Sequence, residues 1–130
     1  MAESDLKSLN RITSAILDSA IRVHKQMGPG LLEGVYQECL VEELTKRGMH
    51  VDTSVRVPLY YFGKRLTKDY IIDILVEDEV IVELKAIDAV LPIHEAQILS
   101  YLRLAKKRIG LLINFNQERL IDGYRRFING

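Results

Sequence analysis

Tyr70-Ile71-Ile72-Asp73-Ile74-Leu75-Val76-Glu77-Asp78-Glu79-Val80-Ile81-Val82-Glu83-Leu84-Lys85 consists of two apolar, strand-like runs separated by three acids. If Glu77-Asp78-Glu79 forms a hairpin loop, Val76 faces Val80, and antiparallel counting sets Asp73 opposite Glu83. Directly opposed residues share a face, with Cβ atoms roughly 5 Å apart. A slip of one residue would send them to opposite faces. The loop lacks the glycine that most often supplies a left-handed position, but Asp78 tolerates one. Along the second run the two-residue period puts Glu83 and Lys85 on one face, with Val80, Val82 and Leu84 on the other.

Charges are rare in core strands because desolvating an unpaired carboxylate costs several kcal/mol or more. Two carboxylates facing each other also repel. A bound cation resolves both problems. Mg²⁺ or Mn²⁺ suits the pair, being a hard ion that takes carboxylate oxygens, water and phosphate.

On the N-terminal side, Leu6, Leu9, Ile12, Ile16, Ala20, Val23 and Met27 recur at helical spacing and stop at Gly28-Pro29-Gly30. A second helix is predicted from Leu31 to Arg47, burying Leu32, Val35, Tyr36, Cys39, Leu40 and Leu44 and stopping at Gly48. Val51 to Tyr61 reads as a strand that Pro58 confines to an edge or a bulge, with a turn at Phe62-Gly63-Lys64-Arg65. On the C-terminal side, Ile93 to Lys107 reads as a helix and Ile109 to Phe115 as a strand covered on both faces. Gly123 to Ile128 reads as a short strand or helix. A strand, helix and parallel strand between Glu83 and Phe115 would form a right-handed crossover. The fold class is α/β, a sandwich with a mixed central sheet flanked by helices, and residues 1–130 are expected to form one domain.

Eighteen basic and eighteen acidic side chains cancel, so a nucleic-acid surface would have to be local. Lys64, Arg65 and Lys68 form one basic cluster, Arg103, Lys106, Lys107 and Arg108 a second, and Arg125 with Arg126 a third. Taken alone, each reads as a solvated face. Cys39 is the only cysteine, which rules out an internal disulfide or a multi-thiolate zinc site and fits a reducing compartment. Met1 to Asn10 has no apolar leader core, and no stretch approaches the ~20 apolar residues of a membrane span. A cytoplasmic location is expected. Phosphate loops, dinucleotide fingerprints, zinc-protease helices and nucleophile elbows are absent from the sequence.

Gly30-Leu31-Leu32-Glu33-Gly34-Val35-Tyr36 fits a GxxExxY signature. From about Ile16 to Ile128 the chain resembles the GxxExxY proteins of the PD-(D/E)XK nuclease superfamily. Asp73 matches the first acidic position, Glu83-Leu84-Lys85 the (D/E)XK triplet, and Gln97-Ile98-Leu99-Ser100-Tyr101 the QxxxY element. Ile72 stands where the superfamily name has proline. The resemblance implies a restriction-endonuclease-like fold and Mg²⁺- or Mn²⁺-dependent hydrolysis of phosphodiester bonds in nucleic acid, with DNA favoured. Metal ligands would be Asp73, Glu83, the Leu84 carbonyl and, as an outer ligand, Glu33. Lys85 would position the attacking water, and Gln97 and Tyr101 would steady the lysine, a ligand or a phosphate. A homodimer would supply a longer surface and a second site.

Each residue also has a structural reading. Glu33 is placed to cap a helix. Tyr36 reads as a core aromatic with a hydrogen-bonded hydroxyl. Lys85 fits a salt bridge to Asp73 or Glu83, His94 a helix start, and Cys39 a buried inert thiol. His24 and His50 lack metal-ligand spacing. The alternative function is a non-catalytic nucleic-acid-binding or scaffolding module on the same fold.

Overall fold

A computed structural model of the protein describes residues 3–130. Met1 and Ala2, the first residues of the segment expected to lack a leader core, lie outside the described residues. The elements are α1 (Glu3–Met27), α2 (Glu33–Lys46), β1 (Val51–Tyr61), β2 (Lys64–Val76), β3 (Val80–Lys85), α3 (Pro92–Ala105), β4 (Ile109–Asn114), a 3-10 helix (Leu120–Gly123) and β5 (Tyr124–Ile128). The sheet order is β1-β2-β3-β4-β5, antiparallel throughout except for the parallel β3–β4 pair. A mixed sheet with flanking helices results, consistent with a restriction-endonuclease-like fold.

Alternation along the central strands divides the core into two layers. Leu9, Ile16, Ala20 and Val23 of α1 and Tyr36, Leu40 and Leu44 of α2 pack with Val80, Val82 and Leu84 on one face. Ile98 and Leu102 of α3 pack with Ile72, Leu75 and Ile81 on the other. Gly110 on β4 permits this close seating, since a Cβ there would lie 3.1 Å from both Ile98 and Leu102. Glu83 and Lys85 share the parity of Ile81 and belong to the α3 face.

Several expectations are corrected at the helix edges. Leu32 precedes the first helical residue of α2, escapes its periodicity and is 79% exposed. Val35 is rotated about 100° from Tyr36 on the helix and also faces solvent. Cys39 is half-buried rather than buried. Leu6 and Met27, near the two ends of α1, are exposed. Gly28 supplies the left-handed stop after α1, at φ +74°, with its N–H donating to His24 O at 2.8 Å. β1 is an edge strand whose register shifts between Pro58 and Tyr60. The terminal segment resolves as a strand, β5, beside β4.

Behind β3 lies a polar clamp that periodicity does not reveal. Asn114 is fully buried; its Oδ1 accepts from Ile87 N and Asn116 N, and its Nδ2 donates to Ile87 O. Phe115 N donates to Lys85 O at 2.8 Å, so the chain leaving β3 is tied to the end of β4. Gly123 crosses this clamp so closely that a Cβ would lie 2.1 Å from Asn114 O. Backbone on backbone has nowhere to yield. Gly123→Ala is therefore expected to cost about 2–3 kcal/mol, lowering the melting temperature by roughly 10 °C in a calorimetric scan. An unchanged transition would show that the clamp is not rigid.

Candidate functional site

The hairpin loop forms as counted, with Val76 opposite Val80 and with Glu77 and Asp78 left-handed at φ +54° and +57°. The β2–β3 ladder, however, ends at Ile74↔Val82. The next rung, which would pair Asp73 with Glu83, is not formed, and the two carboxyls meet where the backbones part. On the other side of β2, Ser54 drops out of the β1 ladder between Thr53↔Ile74 and Val55↔Ile72, at φ +53°. Strict alternation would put Ile72 and Ile74 on one face, yet Ile72 joins the α3 layer and Ile74 the α1/α2 layer. The strand therefore changes phase at Asp73.

Glu83 is buried, and its Oε1 receives no hydrogen bond from the described residues. Burial, a hydrogen bond shared with Asp73 and the Asp73 charge push its carboxyl up to about 9, against the pull of Lys85 and with a small addition from Glu33. Glu83 therefore keeps its proton through neutral pH. Lys85, half-buried at the end of β3, lies within electrostatic reach of Glu83 and Glu33. Among the described residues no close ion pair joins it to either strand carboxyl, which disfavours the salt-bridge reading.

Glu33 begins α2 on the opposite layer but comes to the same end of the sheet. Partial burial first and then the Asp73 charge raise its pKa, opposed by Lys85. No side chain caps α2, so the capping reading is not supported. Tyr36 is the core aromatic expected, stacked on Phe115 at 4.5 Å. Its hydroxyl donates to Gly28 O at 2.6 Å and accepts from Leu31 N at 3.0 Å.

From α3, Tyr101 reaches the acids: burial, Glu83 and Asp73, in that order, raise its pKa. Gln97 is half-buried one turn earlier and forms no hydrogen bond among the described residues. His94 is the helix-start residue expected, with Nδ1 accepting from Leu91 N at 2.9 Å. The side chain of Leu84 lies in the opposite layer, so only its backbone is available to the site.

Tyr70 escaped the sequence reading. Its ring stacks on Tyr101 at 3.7 Å, and its hydroxyl is buried without a hydrogen-bond partner among the described residues. Burial, Glu83, Tyr101 and Asp73 raise its pKa strongly. Strict alternation would put Tyr70 on the face opposite Asp73, and the phase change brings it round. No periodicity rule signals that. Outside this site, His24 is buried and bonds Gln117 O through Nε2 at 2.7 Å.

A sequence model of the PD-(D/E)XK nuclease superfamily matches residues 10–127. The chain belongs to that superfamily. No curated protein and no solved structure matches it. Nuclease activity and a nucleic-acid substrate are what membership of this PD-(D/E)XK family indicates, and its nucleases typically use divalent metal ions. The variant residue of the motif, Ile72, is buried in the α3 layer, where an apolar side chain is what the position needs.

Among the described residues no three His, Cys, Asp or Glu side chains converge as a ready-made metal cage. The fit rests instead on the donor chemistry: a half-buried Asp73, an orphaned Glu83 oxygen and a Glu83 carboxyl that burial and the Asp73 charge push up. These oxygen donors suit a hard divalent cation. The proton on Glu83 has a measurable consequence. An unfolded glutamate loses its proton near 4.3, whereas folded Glu83 keeps it to about 9, so this group destabilises the metal-free fold as pH rises between those values. Thermal melts in EDTA from about pH 5 to 9 are expected to show wild type losing stability relative to Glu83→Gln. Parallel curves would mean that the fold does not hold Glu83 protonated.

Proposed function

We propose that the protein is a divalent-metal-dependent phosphodiester hydrolase acting on DNA and that it belongs to the GxxExxY group. The observation that carries this reading is the Asp73–Glu83 carboxyl pair at the open end of β3, with Lys85 on the face of Glu83 and without a close ion pair among the described residues. A structural acid pair would be expected to consume the lysine. Gly30, Glu33 and Tyr36 support the finer assignment, with Glu33 reaching the rim of the acids and Tyr36 holding the turn that delivers it.

In this reading Asp73 and Glu83 hold Mg²⁺ or Mn²⁺, with the Leu84 carbonyl as a further ligand and Glu33 as an outer one. When bound, the cation supplies charge neutralisation at the scissile phosphate and activation of water. Loading it requires Glu83 to release its proton, so binding strengthens as pH rises towards 9. Lys85 extends a cationic stem towards the attacking water and the charge that builds on phosphorus. The unpartnered Tyr70 hydroxyl donates to a phosphate oxygen or a water, and the stacked Tyr101 ring fixes its direction. Gln97, one turn from Tyr101, steadies the lysine or a phosphate. The cytoplasm, which is reducing, suits the single cysteine, and a homodimer suits cutting of both strands.

Cleavage of labelled single-stranded, duplex and branched DNA and RNA, in Mg²⁺, Mn²⁺ or EDTA, tests this assignment. Metal-dependent cutting of DNA is expected, with Lys85→Ala reducing the rate by roughly 10²-fold or more while retaining the metal-induced rise in melting temperature. Absence of cutting alongside salt-sensitive binding would instead identify a non-catalytic nucleic-acid-binding module. For Tyr70→Phe the rate is expected to fall about tenfold, the weight of one hydrogen bond to a charged group, with the fold intact. An undiminished rate would leave Tyr70 a packing residue.

A further inference from the structure

The β1–β2 hairpin outruns the rest of the sheet. Its ladder continues to Tyr61↔Lys64, whereas β2 leaves β3 at Ile74↔Val82. Beyond Asp69 the two strands form an arm on the side where β3 ends and the carboxyls sit. At about 3.3 Å per residue its tip lies roughly 30 Å along β2 from Asp73. From Pro58 to Lys68 only Leu59 and Leu66 are even half-buried. An ordinary solvated hairpin would carry polar residues at its tip. This one carries Tyr60, Tyr61 and Phe62, exposed by 62%, 65% and 93%.

Three features argue for a nucleic acid against these rings. First, the rings are presented rather than packed away: Tyr61 and Phe62 meet edge to face at 4.8 Å, leaving ring faces open, and the tight turn Phe62-Gly63, at φ +46° and +79°, holds them at the apex. Second, charge is segregated here in a chain that is neutral overall. Arg56, Lys64, Arg65 and Lys68 lie on the two strands that carry the rings, and no acid occurs from Thr53 to Lys68. Asp69 answers Arg56 and Arg65 at the base of the arm, and Arg65 also lies 6.0 Å from the Tyr60 ring, while no ion pair holds Lys64 or Lys68 among the described residues. Among the C-terminal basic residues, Lys107 is held by Asp78, Arg125 by Glu95 and Arg126 by Asn10. Third, the arm is poorly suited to a second copy of this chain. Two-fold pairing would oppose like charges, and Pro58 with the adjacent register shift blunts the free edge of β1.

Aromatic faces flanked by cations accommodate unstacked bases, with the cations on the phosphates and the rings against the bases. We infer that the hairpin arm Pro58–Lys68 is a nucleic-acid-binding site that stacks unpaired bases on Tyr61 and Phe62, making single-stranded or tailed DNA the preferred substrate. Paired bases inside a blunt duplex offer the rings nothing without unstacking. The inference rests on the nuclease reading for the class of ligand and extends it by naming the form of DNA.

Binding is measured in EDTA, so that it is read whether or not the carboxyls cut. The probes are a fluorescent single strand, a blunt duplex and a duplex with an unpaired tail, each also made with 2-aminopurine, whose emission is quenched on stacking. Wild type is expected to favour the single strand and the tailed duplex over the blunt one and to quench the unpaired 2-aminopurine. Tyr61→Ala combined with Phe62→Ala is expected to weaken single-strand binding at least about fivefold, abolish the quench and erase the preference. Lys64→Ala with Lys68→Ala is expected to lower the slope of log affinity against log salt by about 1.4 while retaining the quench. Because the tip is bare, a melting scan verifies that each variant is folded. Unchanged affinity and quench in the aromatic variant would overturn the inference. So would unchanged binding accompanied by a shift from dimer to monomer in sedimentation, which would make the arm a contact between copies. Arm-dependent binding without Mg²⁺-dependent cutting would support the arm and count against the nuclease reading alone.

Discussion

The structure turns on one buried carboxyl set against another. Glu83 is buried in a central strand beside Asp73, and its pKa is driven up first by burial and then by its partner. A protein could avoid this tension by replacing either acid with an apolar residue, as every other inward position of β3 does. Keeping it makes sense where a cation is to be taken up, because the same burial that holds the proton when metal is absent also excludes water from a bound ion and strengthens the attraction. The acids thus place a demand on the whole fold. The sheet must bring them together, part at that point, and be rigid enough not to relax the repulsion by drifting open.

The remaining architecture meets that demand from both sides. β3 is buried on both faces and hydrogen-bonded to β2 and β4, so Glu83 has little freedom to swing away. The chain beyond Lys85 is tied back by Phe115 N and by the Asn114 side chain. Gly123 allows the β4–β5 connection to pass against that clamp. On the β2 side, left-handed Ser54 lets the edge pair pivot, and consecutive residues Ile72 and Asp73 both turn towards α3. One is there to pack and the other to meet Glu83.

Much of this was legible in the residues. The acids interrupting apolar runs marked where the structure brings two carboxyls together, and the loop length fixed the register as far as Ile74↔Val82. Pro58 marked the edge strand correctly, and the Gly28 stop was where the helix pattern placed it. What failed to show is the set of features that break periodicity. The phase change at Asp73 depends on the backbone of a residue on the neighbouring strand, Ser54, a type that rarely takes a left-handed φ. Tyr70 was hidden for the same reason. Asn114 and Gly123 escaped because their importance lies in approach distances set by connections far apart in sequence. Leu32 and Val35 read as core residues only because they are apolar, and large apolar residues also occur on surfaces.

The GxxExxY segment gains a mechanical meaning from the same geometry. Gly30 takes φ +93°, which a side chain rarely adopts, and turns the chain from α1 into α2. Tyr36 then spans the turn: its hydroxyl binds the last carbonyl before it and an N–H within it, while its ring rests on Phe115 at the end of β4. Phe115 is also the residue whose N–H holds Lys85 O. Glu33 and Lys85, on different layers of the sandwich, are therefore referenced to one aromatic stack. The tyrosine need not touch the acids to matter to them. Its ring and hydroxyl fix where Glu33 stands relative to the end of β3, so the glycine, glutamate and tyrosine act as a turn, a rim carboxylate and the brace between them.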